Sequence, residues 1–201
     1  MVAAAQRASS GQMPTVYQPP ADEWADGYTG IGFNMLMYHG SNMAVEKPRL
    51  IQQTRGLDFG AGFYLTTSES QAVRFSEIIV KRRKSGIATV SVYDFDMETA
   101  EESLSIRKFN AADIQWLRFV VGNRLMTYQG ELYDIVISAV ANDQVMPTIQ
   151  ALLGGFLTEE ATILTLEASK LVDQICLKSE QALSLLSYIK AYEARGRTVN
   201  G

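Results

Sequence analysis

Between residues 35 and 192, short apolar runs alternate with stretches of helical periodicity, and this alternation limits the fold more than any other feature of the sequence. Residues 35–39 form one apolar run, and residues 63–66, introduced by Gly60 and Gly62, form another. Residues 87–95 (IATVSVYDF) are β-branched and alternating, and residues 133–140 and 172–177 complete a set of five expected strands. Ser68 stands as an N-cap with Gln71 three residues on, ahead of a helix that places Ala72, Phe75 and Ile79 on one face. That helix ends in Lys81-Arg82-Arg83-Lys84, where cations favour the C-terminal dipole, and Gly86 stops it. Further helices are expected over 110–128, opened by Asn110, over 146–153, with Pro147 in the first turn, over 158–168 and over 179–192. The reading is α+β, with residues 1–34 as a flexible extension, 35–193 as one domain and 194–201 as a tail.

Composition narrows the function classes. A net charge of -4 speaks against a general nucleic-acid binder, whose footprint is usually basic. One cysteine, Cys176, cannot form an intramolecular disulfide, and with one histidine it cannot build a typical zinc site. These features suit a reducing cytoplasm, and no apolar run reaches the length of a bilayer span. The expectation is a cytoplasmic protein with no metal and no membrane partner.

Polar and glycine-rich clusters supply the candidate site. The single histidine, His39, ends the first apolar run and is followed by Gly40 and Ser41. Alone, it reads as a core residue sooner than as the first piece of a site. Gly60-Ala61-Gly62-Phe63-Tyr64 reads either as a tight turn entering a strand or as a backbone that approaches a ligand, since neither glycine carries a Cβ. Arg55 and Asp58 precede that turn, as a solvated pair or as contacts to a diphosphate and a nucleoside. Asn142-Asp143-Gln144 ends a strand and reads as a helix cap or as a functional loop. The cationic run 81–84 is a solvated helix end or a patch for a nucleic-acid or acidic acceptor, and Cys176 is structural.

Taken in order, Tyr38-His39-Gly40-Ser41, then Phe59-Gly60-Ala61-Gly62-Phe63-Tyr64-Leu65, then Phe75 eleven residues after Tyr64, resemble the ADP-ribosyltransferase superfamily. The likeness is to its diphtheria-toxin and poly(ADP-ribose) polymerase branch, marked by a His, a Tyr and a Glu on three separate strands. From residue 35 to 192, through the HGS, GLDFGAGFYLT, YDIV and ANDQV blocks, the chain is also similar to an uncharacterised bacterial family of that superfamily. The resemblance implies a split β-sheet core with flanking helices and NAD as co-substrate. It also implies ADP-ribose transfer to a macromolecular acceptor and a small antitoxin-like partner. His39 would hydrogen-bond the adenine-side ribose, and the Gly40 backbone would hold the nicotinamide carboxamide, with Ser41 beside it. Tyr64 and Phe75 would flank the nicotinamide ring, while Arg55, Asp58 and Gly62 would complete the cofactor contacts.

The third motif departs from the pattern. The position expected to hold the catalytic Glu is Gln174, which can bond a ribose hydroxyl but carries no charge to stabilise an oxocarbenium ion. Asp173 is adjacent, but alternation along a strand points it to the other face. Asp143 is a candidate source of the missing carboxylate. Mono-ADP-ribosyl transfer, NAD hydrolysis and non-catalytic NAD or ADP-ribose binding are the functions this set allows.

Overall fold

The computed structural model describes residues 34–51, 55–141, 145–167 and 172–194. In chain order these form β1 (Asn34–Ser41), β2 (Phe63–Leu65), α1 (Glu69–Arg83), β3 (Thr89–Asp96), α2 (Met97–Ser103) and β4 (Ile106–Phe109). There follow α3 (Ile114–Arg124), β5 (Ile135–Ala141), α4 (Val145–Leu153), α5 (Glu159–Glu167), β6 (Val172–Leu177), α6 (Glu180–Ser184) and β7 (Leu186–Glu193). The architecture is α+β, with two sheets. One is antiparallel in the order β1-β3-β7; the other has the order β2-β6-β5-β4, with only β4 and β5 parallel.

Three apolar layers explain why most strands read as runs instead of clean alternations. Met37, Tyr93 and Phe95 of the first sheet meet Phe63, Leu65, Ile137 and Ile175 of the second in the central core. Behind the first sheet, Tyr38, Val90 and Val92 pack on Ala72 of α1. Behind the second, Val136 and Cys176 pack on Trp116, Leu117 and Val120 of α3, with Ile149 and Leu166 from α4 and α5. β1 and β3 of the first sheet and β5 and β6 of the second are therefore covered on both faces, with β3 buried at every position from Thr89 to Tyr93, whereas β7 is largely exposed.

The capping signals at α1 hold, but its buried face is Ala72, Ser76 and Ile79, and Phe75, expected on that face, is exposed. The Ser68 hydroxyl accepts from the Gln71 backbone N–H, and Lys84 closes the helix in the left-handed region at φ 53°. The helix expected over 110–128 is shorter, because Asp113 and not Asn110 caps it by accepting from the Trp116 N–H at 2.8 Å. The helix expected over 179–192 is corrected outright. Ser179 caps only the five-residue α6, and Leu186–Glu193 then pairs antiparallel with β3. Pairing along a whole neighbouring strand outweighs a local periodicity of Leu and Ala. Two short elements, α2 and β4, stand where the sequence suggested none; Asp96 caps α2 by accepting from the Thr99 N–H.

The two sheets touch through β1 and β2. Tyr38 N–H donates to Thr66 C=O at 2.9 Å and Thr66 N–H returns to Tyr38 C=O at 3.1 Å, an isolated antiparallel bridge. Among the described residues, no helix is long and apolar enough to cross a membrane.

Candidate functional site

His39 lies one residue beyond that bridge. Its Nδ1 is 2.7 Å from the Tyr64 carbonyl oxygen, which can only accept, so Nδ1 carries the hydrogen and Nε2 is left as the acceptor. The ring stacks on Phe63 with centroids 4.4 Å apart, and Phe63 meets the Tyr93 ring edge-on. Burial pushes the imidazole below its ordinary range; the bond to the Tyr64 carbonyl opposes this, and Arg83 adds to it. His39 is therefore neutral at physiological pH.

A sign follows for stability. The unfolded chain binds a proton at His39 more readily than the folded one, so the contribution is complete above the ordinary value of 6.5 and is lost as pH falls through the lowered one. Stability should fall as pH is lowered through 6.5 and below, with a slope of at most about 1.4 kcal/mol per pH unit from this group, and melting temperature should fall with it. In His39→Gln that slope should flatten; an unchanged pH profile would show that His39 is not the group responsible.

Tyr64 is used differently from a free aromatic face. Its hydroxyl donates to Gly60 C=O at 2.7 Å and accepts from Phe59 N–H at 3.1 Å, and its ring runs nearly parallel to Phe59. Burial, first of all, holds the phenol well above its usual range. The glycine pattern has a parallel explanation. Gly60 has φ 78°, and a Cβ there would lie 2.6 Å from Asn123 Oδ1 of α3. A Cβ at Gly62 would lie 2.3 Å from Cys176 Sγ and 2.8 Å from the Leu177 carbonyl. Both glycines thus permit the turn to lie against its own β6 and α3. Of the two readings left open by the sequence, the tight turn is the one with a visible structural cause.

Gln174 sits on β6 opposite Ser138 and two residues from Cys176, the pairing partner of Tyr64. Alternation sends Gln174, Cys176 and Lys178 to one face of the strand. The Gln174 Oε1 is buried with no hydrogen-bond partner, a costly arrangement unless something else donates to it. Asp173, one residue earlier, accepts from Thr66 Oγ1 at 2.9 Å and from the Thr67 N–H, and so ties β6 to the entrance of α1. Desolvation raises its carboxyl despite those bonds.

The remaining candidates are spread around this centre. A Cβ on Gly40 would lie 2.0 Å from the Ala72 carbonyl oxygen, which makes Gly40 the crossing point of β1 and α1. Ser41 ends β1 opposite Thr89, half-buried. Phe75 projects from α1, 43% exposed. Arg55 is exposed before the turn, whereas Asp58 is held in an ion pair by Arg124 of α3, with both side chains mostly buried. Asp143 lies outside the described residues. Cys176 is buried, its thiol pushed up to about 12, as suits an inert core position. Lys81, Arg82 and Arg83 are an exposed last turn of α1.

The fold thus brings His39 to Tyr64, and Tyr64 to the strand of Gln174. It adds partners that local patterns did not single out, Lys178, Asn123 and Arg124, and gives Asp173 a structural role at Thr66 and Thr67. The only trace of them in the sequence is a lysine in phase with a buried cysteine. With this geometry in view, residues 35–188 match the family described as protein of unknown function (DUF3990). The chain belongs to the DUF3990 family. No curated protein and no solved structure matches it. The DUF3990 match runs from β1 into β7 and takes in His39, Tyr64 and Gln174.

Proposed function

We propose that this DUF3990 domain binds NAD on an ADP-ribosyltransferase-like split sheet and transfers a single ADP-ribose unit to a macromolecular acceptor. The observation that carries the reading is the 2.7 Å contact of His39 Nδ1 with the Tyr64 carbonyl, which joins the two motifs across 25 positions of sequence. It leaves a neutral imidazole whose Nε2 can accept from a ribose hydroxyl. The two-sheet α+β arrangement, with β1 in one sheet and β2 and β6 in the other, is compatible with a nucleotide held at their junction. In the reaction the bond from the ribose C1′ to the nicotinamide nitrogen breaks, nicotinamide leaves, and the acceptor's nucleophile bonds to C1′. Positive charge develops on the ribose as the bond opens, and orientation of that ring is what the site would contribute. A toxin role in the cytoplasm, neutralised by a small partner protein, belongs to the same proposal.

A second reading, a binder of NAD or ADP-ribose or a slow NAD glycohydrolase, is favoured by Gln174. Its unpartnered Oε1 suits a hydroxyl donor, but an amide cannot supply the negative charge that hastens bond opening. One experiment separates the readings. The protein is incubated with NAD labelled in the adenylate half and with a cell lysate, and macromolecular label and free nicotinamide are both measured. Label on protein or nucleic acid supports transfer. Nicotinamide without label points to hydrolysis, and calorimetric binding without either points to a binding module. An absence of all three removes the NAD reading.

A further inference from the structure

Lys178 follows β6 on the face shared by Gln174 and Cys176, and its side chain runs beneath the glycine turn. A Cβ on Gly62 would lie 3.3 Å from its Cγ, and one on Gly60 would lie 3.1 Å from its Nζ. The ammonium donates to the Phe59 carbonyl. No carboxylate of a described residue forms an ion pair with it. A cation half-withdrawn from water, with no counter-charge and a backbone carbonyl as acceptor, is an expensive arrangement for a surface lysine, whose head normally stays in solvent. The glycines on the other side have the complementary property, since any side chain at 60 or 62 would strike either Lys178 or its neighbours Asn123 and Cys176.

We propose that Lys178 is a positioning residue: its ammonium, threaded under the Gly60–Gly62 turn, fixes the Phe59 carbonyl and with it the turn that Tyr64 closes from the same side. Two side chains then hold two successive carbonyls, Lys178 that of Phe59 and the Tyr64 hydroxyl that of Gly60. Tyr64 also receives the Phe59 N–H, so the conformation at 59–60 is set from three directions. The consequence for ligand binding rests on the NAD reading above. The turn and the Tyr64 backbone that orients His39 are one unit, and loosening the turn should weaken NAD binding more than it slows the bound complex.

Lys178→Met keeps the aliphatic stem and deletes the charge. The amides of Phe59 and Gly60, followed by hydrogen exchange, should exchange at least about tenfold faster in the variant, while amides of β3 and β5 keep their protection. NAD affinity should fall by a similar factor, with turnover at saturating NAD little changed. Unchanged exchange at 59 and 60 overturns the proposal. Faster exchange in the variant, with no NAD binding by the wild-type chain, upholds the clamp and removes the NAD reading instead, so the two fail separately. Should the variant not fold, the wild-type chain still decides the matter. Nitrogen-15 NMR of its lysine side chains should show ammonium protons of Lys178 exchanging more slowly than those of exposed lysines such as Lys81, and equal rates would overturn the assignment.

Discussion

Gly40→Ala is expected to destabilise this domain by about 3 kcal/mol or more, a large part of the stability of an ordinary domain. The added methyl would stand 2.0 Å from the Ala72 carbonyl oxygen, 2.9 Å from the Ser76 nitrogen and 3.0 Å from the Ala72 carbonyl carbon. All three are backbone atoms of α1, so no rotamer change relieves the contact. The helix must back away from β1, opening the layer in which Ala72 meets Tyr38, Val90 and Val92. His39 is the preceding residue, and its contact with Tyr64 would be disturbed along with the packing. Urea denaturation of the variant measures the effect. Gly155→Ala is the control. That glycine has φ 75° but nothing within 4 Å of the added atom, so only backbone strain of roughly 1–2 kcal/mol applies. Equal losses in the two variants would show that the crossing at Gly40 is not tight.

His39→Ala should lower NAD turnover about 100-fold while leaving the chain folded, because misplacing a bound reactant by about an ångström is enough for such a loss. The fold loses the ring stack on Phe63 and one hydrogen bond, a cost of roughly 1–2 kcal/mol, within what an ordinary domain tolerates. Release of nicotinamide by purified wild-type and variant chains, with circular dichroism on the same samples, reads both quantities. If expression of the wild type arrests growth, expression of the variant should not. Full turnover or full arrest in the variant would refute the place given to His39, whatever the fate of the other residues.

How much of this was legible in advance depended on where the deciding interaction lay. The helix α1 was readable because its signals are local: a serine cap, an amide three residues on and a cationic last turn. The strand β3 was readable because β-branched and aromatic residues (Thr89, Val90, Val92, Tyr93 and Phe95) make up most of it. The segment after α6 was not, because SEQALSLLSYIKAY satisfies a helical period and only pairing with β3 overrules it. The site divides in the same way. Sequence order and resemblance drew attention to His39, Tyr64 and Gln174. The roles of Gly40, Gly60 and Gly62 as points of close approach to Ala72, Asn123 and Cys176 required the folded chain. Asp58 paired with Arg124, and Asp173 tied to Thr66 and Thr67, could not be read from spacing, since their partners lie 66 and more than 100 residues away.

The strand that defeated the local reading also has a bearing on self-association. β7 is a terminal strand of its sheet, eight residues long, with Tyr188 and Ile189 exposed, and such a strand would ordinarily recruit a second chain. Its register slips between Val92 and Tyr93, whose partners are Lys190 and Tyr188, so Ile189 is left over as a bulge. A bulge twists the outer row of N–H and C=O groups out of line, and a charged Lys190 next to it discourages apolar contact. The departure from regular pairing at that one residue makes an otherwise adhesive border a poor template for aggregation.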